Sequence, residues 1–173
     1  MSAHHKGLLA STLTLALVGC AVVPPNAGDN PNDPLEGINR QTHALNMTLD
    51  EYVLHPIAQS YVDYVPEPVR DSVHNAYGNL REPRNAINNL LQGKVTQSAV
   101  SVARFLINST VGIVGLFDVA GYMNLERAPE DFGQTLGSWG VPAGPYIVWP
   151  LLGPSTLRDT VGYPFDVAAD PTT

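Results

Sequence analysis

The sequence predicts a mainly α protein behind an export leader: about five to seven helices with Pro/Gly-rich loops, a glycine-rich apolar hairpin and no substantial β-sheet. Three observations carry that expectation. Apolar residues recur at steps of three and four in several consecutive segments, the spacing that lines one face of an α-helix. Prolines and glycines, fifteen of each, punctuate the gaps between those segments. The chain also opens with a short apolar run that ends at its single cysteine, Cys20.

The leader has a short basic start, Met1 to Lys6, then an apolar run from Gly7 to Gly19. An apolar core of about 7–15 residues is the layout of an export signal, and it falls short of the roughly 20 residues needed to span a bilayer. Its last residues, Leu17-Val18-Gly19-Cys20, fit a lipobox, where the thiol is diacylated and the signal is cut just before it. A lone thiol in an exported chain has no intramolecular disulfide partner, which favours this use of Cys20. Buried acyl carbon contributes about 0.8 kcal/mol per methylene, so several chains anchor a protein durably. Ala21 stands where an aspartate would signal inner-membrane retention by analogy with Gram-negative sorting, and this points to the outer membrane. The expected organisation is a signal over 1–19, a lipidated tether over 20–32 and a helical domain over 33–173.

Nine basic and sixteen acidic side chains leave a formal charge of −7, and −8 once Lys6 departs with the leader. An acidic chain argues against nucleic acid and against electrostatic binding to anionic lipid. Only 14% of residues are charged, against about 25% in a typical soluble protein. The deficit is local, since Val95 to Asn124 contains no charged side chains other than Arg104 and Asp118.

The tether is rich in Pro, Gly and Asn and is expected to be extended or disordered. Asp33-Pro34-Leu35-Glu36 then offers an N-cap, a first-turn proline and a capping-box acid. Leu35, Ile38, Thr42, Leu45, Leu49 and Tyr52 mark one helical face, which His55-Pro56 is expected to interrupt. Ile57 to Val65 continues it briefly. A third helix is expected over Val69 to Leu80, and a fourth from Glu82-Pro83 to Gly93. The fifth, Val95 to Val111, is apolar around most of its circumference, as in helices buried in protein or lipid. Glycines at 112, 115 and 121 suggest a hairpin or a close backbone approach. Glu130 to Gly140 suits a short helix, Val141 to Pro154 reads as a rigid loop, and Ser155 to Val161 as one or two helical turns. No internal repeat is present.

Catalytic patterns are missing. His43, His55 and His74 lack the spacing of a metal site. Leu136-Gly-Ser138-Trp-Gly140 has leucine where a nucleophile elbow needs glycine, and Asp131-Phe-Gly133 lacks every companion motif of a kinase. Asp50-Glu51 and Glu130-Asp131 are adjacent pairs that diverge on a helix, so no general acid–base pair is supported. The expectation is a protein that is not an enzyme and needs no cofactor.

Several short motifs, in register along most of the processed chain, resemble the MlaA/VacJ family of outer-membrane lipoproteins. They include Asp33-Pro-Leu-Glu-Gly-Ile-Asn-Arg40, Asp63-Tyr-Val-Pro66, Asn79-Leu80 with Glu82-Pro83, and Arg104-Phe105 with Asn108-Ser-Thr110. Asp118-Val-Ala-Gly121, Phe132-Gly-Gln-Thr-Leu-Gly137 and Thr156-Leu-Arg-Asp159 continue the series. Relatives usually run on past the last of these with more helix, whereas this sequence stops at Thr173, which fits a truncated gene, a natural short form or an incomplete record alike. The resemblance implies a compact ring-like helical bundle in the inner leaflet of the outer membrane, facing the periplasm. It implies removal of mislocalised phospholipids from the outer leaflet through a central channel. The implied partners are an outer-membrane porin trimer and a periplasmic phospholipid carrier.

On that resemblance the candidate channel or lipid-contacting residues are Asn46, Arg104, Asn108 and Asp118. Polar groups in an apolar stretch should face a pore, the headgroup layer or each other. Arg104 or Asp118 then lies at the channel mouth, or Arg104 merely snorkels to water or pairs with Asp118. Asn46 lines the pore or bonds on the periplasmic face. Gly112, Gly115 and Gly121 mark a candidate gating hairpin, or a static close-packed turn. The competing function is a structural lipoprotein that tethers or stabilises porins without moving lipid.

Overall fold

The computed structural model describes residues 23–31 and 33–170. The signal, Cys20 and the rest of the tether lie outside the described residues. The described chain forms two compact units, one up to Ser60 with Gly144–Thr156, the other Tyr61–Ala143 with the residues from Leu157.

In the first unit, 24–31 is not extended as expected but turns back on itself, with Ala27 N–H donating to Pro24 O and Asp29 N–H to Asn26 O. Helix α1 runs Glu36–Leu49, one turn later than the proposed cap. Asp33 does not cap it; its carboxylate instead accepts from Asn39 Nδ2 at 2.6 Å. A five-residue π-helix, Asp50–Leu54, follows directly and leads into α2, His55–Tyr64. The break expected at Pro56 does not occur. Proline has no N–H to give to the carbonyl four residues back, and the turn before it widens, with His55 N–H reaching Asp50 O. A wider turn absorbs the mismatch without ending the helix.

The expected rigid loop contains a hairpin: β1, Tyr146–Trp149, pairs antiparallel with β2, Gly153–Thr156, Tyr146 opposite Thr156 and Trp149 opposite Gly153. Leu151 and Gly153 take positive φ at the turn. Two asparagines of α1, seven residues and so about two turns apart, fix β1. Asn39 donates to Tyr146 O at 3.0 Å and accepts from Val148 N–H at 2.8 Å. Asn46 donates to Trp149 O and accepts from Leu151 N–H, both at 2.9 Å. Each carboxamide thus mimics a neighbouring strand.

In the second unit, α3 spans Glu67–Leu91 without interruption, where two helices were expected, and carries Pro83 inside it. One missing backbone bond is outweighed by packing on both sides of the proline. Glu82 and Ala86 bond to Arg104 and Ser98 of α4, Val95–Thr110. With Asn79 bonded to Ser109 as well, the pairings run in opposite directions along the two helices, so α3 and α4 are antiparallel. Gly93, at φ +76°, makes the turn between them. After a turn region come the short α5, Val119–Tyr122, and α6, Phe132–Ser138, capped by Asp131, whose Oδ1 accepts Gln134 N–H at 2.7 Å. Helix α7 occupies Leu157–Ala169, longer than the one or two turns expected and starting after the strand that takes up Ser155 and Thr156. It lies close to α6: a Cβ on Gly162 would meet Gly133 N at 2.8 Å.

The polarity of the interior is inverted. Among the described residues the buried apolar side chains are Ala86, Ala120 and Val148. The buried stripe of α3 is instead Asn79, Glu82, Asn85, Ala86, Asn88 and Asn89, and that of α4 is Ser98, Ser101, Arg104 and Asn108. Large apolar groups such as Val73, Ile87, Leu90, Val102 and Leu106 are exposed. Helix α4 is therefore not uniformly apolar in its packing, because its narrow polar stripe faces α3. No helix among the described residues is long and apolar enough to cross a membrane.

Candidate functional site

The polar stripes meet in a cluster of four charges. Arg104 is 1% exposed and Glu82 0%. Arg104 donates through Nε to Glu82 Oε1 at 2.8 Å and through Nη2 to both oxygens of Asp118, at 2.8 and 3.0 Å. Its Nη1 donates to Leu125 O. Asn108 Nδ2 donates to Asp118 Oδ1 at 2.9 Å, while its Oδ1 accepts from Ala120 N–H. Arg127 closes the set, 3.8 Å from Glu82 and 3.5 Å from Asp118. Two guanidiniums and two carboxylates alternate, so the cluster is neutral, with Arg104 and Glu82 buried and Arg127 and Asp118 partly exposed. A buried charge is tolerated only when paired in this way.

Burial alone would pull the Arg104 guanidinium down, but the hydrogen bonds and charges of Glu82 and Asp118 outweigh it and hold the group above its ordinary range. Burial likewise pushes Asp118 up, and the bonds from Asn108 and Arg104 overcome this, keeping it below the ordinary carboxylate range. Both groups stay charged.

The glycines give the cluster its close approaches. A Cβ on Gly121 would meet Asp118 Oδ2 at 2.8 Å, and one on Gly115 the Asn79 side chain at 2.7 Å. A Cβ on Gly112 would sit 2.3 Å from Phe117 O. Ile113, Val114 and Gly115 follow one another at φ 52°, 57° and 87°. For the two β-branched residues this left-handed backbone is strained, by about 1–2 kcal/mol each. The segment is an apolar turn rather than a two-stranded hairpin, tied by Gly115 N–H to Asn108 O at 2.8 Å.

Arg104, Asn108, Asp118 and the three glycines thus come together in one place. Asn46 belongs to the first unit and its amide is engaged with the hairpin. Asn79 and Glu82 appeared in the sequence analysis only as motif residues, and Arg127 and Gly78 were not singled out at all. Gly78 lies against this group: Arg127 Nη1 is 2.1 Å from where its Cβ would be, so a larger residue there would push the guanidinium from its present place.

The seam continues along α3. Asn88 Oδ1 accepts from Thr135 Oγ1 at 2.9 Å, Gln92 donates to Glu130 at 2.9 Å, and Lys94 pairs with Glu130 at 2.6 Å. Asp166 accepts Phe132 N–H at 2.9 Å, and Arg84 pairs with Asp170 at 3.2 Å. Burial, with a contribution from the Asp131 charge, raises Asp166 despite the Phe132 bond. Asn79 Oδ1, Asn89 Oδ1 and Ser101 Oγ are buried without a partner among the described residues. Those residues contain no group of three His, Cys, Asp or Glu able to hold a metal ion.

Comparison with known proteins agrees with this architecture. The family model described as MlaA lipoprotein matches residues 31–173. The intermembrane phospholipid transport system lipoproteins MlaA of Shigella flexneri and Escherichia coli K12 are each 44% identical over 153 residues, covering 86% of this chain and 61% of theirs. The protein of that name from Haemophilus influenzae is 37% identical over 172 residues, 94% of this chain and 67% of the relative. A solved structure described as the structural basis for maintenance of bacterial outer membrane lipid asymmetry superposes with a TM-score of 0.71 at 41% identity. It is matched over 79% of this chain and 69% of that one. The chain therefore spans 61% of the length of the first two relatives. Family model, sequence identity and superposition agree: the chain belongs to the MlaA lipoprotein family.

Proposed function

We propose that this chain is a lipid-anchored outer-membrane component of a phospholipid-trafficking system that maintains lipid asymmetry. It removes mislocalised phospholipid from the outer leaflet and passes it to a periplasmic carrier, beside a porin trimer, without catalysing a reaction. Cys20 carries the anchor, and the protein lies in the inner leaflet facing the periplasm.

The inverted polarity carries this reading. A protein in water gains roughly 25 cal/mol per Å² from covering apolar surface, yet Val95, Val111, Val114, Tyr122 and Met123 are exposed. In an acyl environment that exposure costs nothing, and polar groups are driven inward to satisfy one another. The partnerless Asn79, Asn89 and Ser101 atoms suit a seam that admits water or headgroups, since each buried orphan costs about 1–3 kcal/mol in a closed core. Arg104, Asn108 and Asp118 form the fixed polar wall of that path, and the turn around Gly112, Gly115 and Gly121 is its movable edge. Asn46 contributes by holding the hairpin.

The test is the phospholipid exposed on the cell surface after deletion of the gene and complementation by the 173-residue chain. A rise on deletion that the chain reverses supports transport. No rise on deletion overturns it in favour of porin tethering, and a rise that the chain fails to reverse denies transport to this chain.

A further inference from the structure

Outside the charged cluster, α3 carries a groove of about 650 Å³ near its N-terminal half, in which Tyr61 of α2 takes part. Arg70, His74, Tyr77 and Arg81 line it at helical steps of four, three and four, which place them on one face. Glu67 and Asp71 line it as well. Arg70 Nε is buried without a hydrogen-bond partner among the described residues. Arg81 is more than half exposed and only 3.8 Å from Asp170, which Arg84 holds more closely at 3.2 Å.

The geometry points to a site for the headgroup of a zwitterionic aminophospholipid, a phosphodiester joined by two carbons to a primary ammonium. Guanidinium is planar and presents paired N–H donors that match phosphate oxygens, so Arg70 is the anion-binding group, with His74 one helical turn on. A simple anion site would exclude carboxylates. Here Glu67, three residues and about 4.5 Å of helix rise before Arg70, and Asp71, next to Arg70 in sequence, line the same groove, so carboxylates stand within a headgroup's length of the guanidinium. The rings of Tyr61 and Tyr77 offer faces to a cation and apolar surface to the glycerol end. Acid, base and aromatic groups on one wall are complementary to a zwitterion and poorly matched to free phosphate, which the carboxylates repel. The proposal names the substrate class of the transport reading above and rests on it.

The full chain in mild detergent is titrated with dihexanoyl phosphatidylethanolamine, phosphatidylglycerol, phosphatidylcholine and inorganic phosphate, with binding followed by calorimetry. The ethanolamine lipid is expected to bind most tightly. R70Q should weaken it about tenfold, the loss of one charge-assisted hydrogen bond. E67Q/D71N should reduce it to the level of the choline lipid, whose quaternary ammonium has no N–H to donate. Equal binding of inorganic phosphate, or ethanolamine-lipid affinity unchanged in either variant, overturns the site. Circular dichroism checks each fold, and should R70Q lose helix, the exposed E67Q/D71N pair decides alone. Wild-type complementation of the surface-phospholipid defect is scored separately. Wild-type rescue with unaltered variant binding removes only this site, whereas failed rescue removes the transport reading.

Discussion

Arg104 and Glu82 face each other across the α3–α4 seam, Nε 2.8 Å from Oε1, with neither side chain reaching solvent. Taking two such charges out of water costs several kcal/mol each, which their mutual attraction offsets only with good geometry. Their value therefore lies in being intact together. R104M strands Glu82 and Asp118 beside Arg127 alone and should cost about 3–5 kcal/mol. R104M/E82M removes the stranded carboxylate and should recover part of that loss. Urea unfolding of the single and double variants in the same detergent measures the coupling, and a double variant as unstable as the sum of both singles would deny it.

The pH profile should bend twice, with opposite signs. Asp118 is held below its unfolded value, so its contribution is present above the ordinary carboxylate pKa, near 3.9, and disappears as pH falls through the lower folded value. Asp166 is raised, so its ionisation opposes folding and its protonation relieves that cost as pH falls through the raised folded value towards the ordinary carboxylate range. Stability should therefore rise over that interval before falling in stronger acid. D166N keeps an acceptor for Phe132 N–H and should abolish the rise while leaving the acid loss in place. Thermal melts across pH check both arms, and a wild-type profile falling monotonically from neutrality would contradict the Asp166 assignment.

Asn39 and Asn46 offer a comparison within one device. Each makes a two-point bond to the β1 hairpin, but Asn39 is buried and also holds Asp33, whereas Asn46 is more open to solvent. N39A leaves the Val148 N–H buried and unpaired, at a cost of about 2–3 kcal/mol. N46A lets water replace the lost bonds and should cost about 1 kcal/mol or less. Equal losses for both in unfolding experiments would mean that burial does not set the difference.

How far these relations were legible in the sequence follows from the same residues. Arg104, Asn108 and Asp118 stood out because they interrupt an apolar stretch. Glu82 and Arg127 did not, because charge is ordinary in their neighbourhoods and their partners lie 9, 22 and 45 residues away without periodic register. The three–four periodicity marked apolar stripes on α3 and α4 without telling what they meet, since a pattern identifies a stripe and not what it faces. Pro56 and Pro83 were weighted as breaks, although a widened π turn carries the chain through the first and bonds to α4 flank the second. The hairpin was hidden by its prolines and by dependence on Asn39, 107 residues from Tyr146.

The turn from Gly112 to Gly115 separates stability from function most sharply. Val114 is 73% exposed and sits at φ 57°, a conformation that valine tolerates poorly and asparagine tolerates well. In water its side chain buries little, so V114N should leave the melting temperature unchanged or raise it by relieving up to about 1–2 kcal/mol of strain. If the strained apolar tip persists because it meets lipid, the same variant should weaken restoration of surface lipid asymmetry. Gly115→Ala acts oppositely, placing a methyl against Asn79 at φ +87°, and should lose stability by about 1–3 kcal/mol. Gly115→Pro is a poor probe of gating, because proline cannot adopt this φ or supply the N–H that holds Asn108 O. A V114N protein that is at least as stable as wild type yet defective in transport would assign the turn to lipid contact. Full transport by V114N would leave it a static closure of the seam.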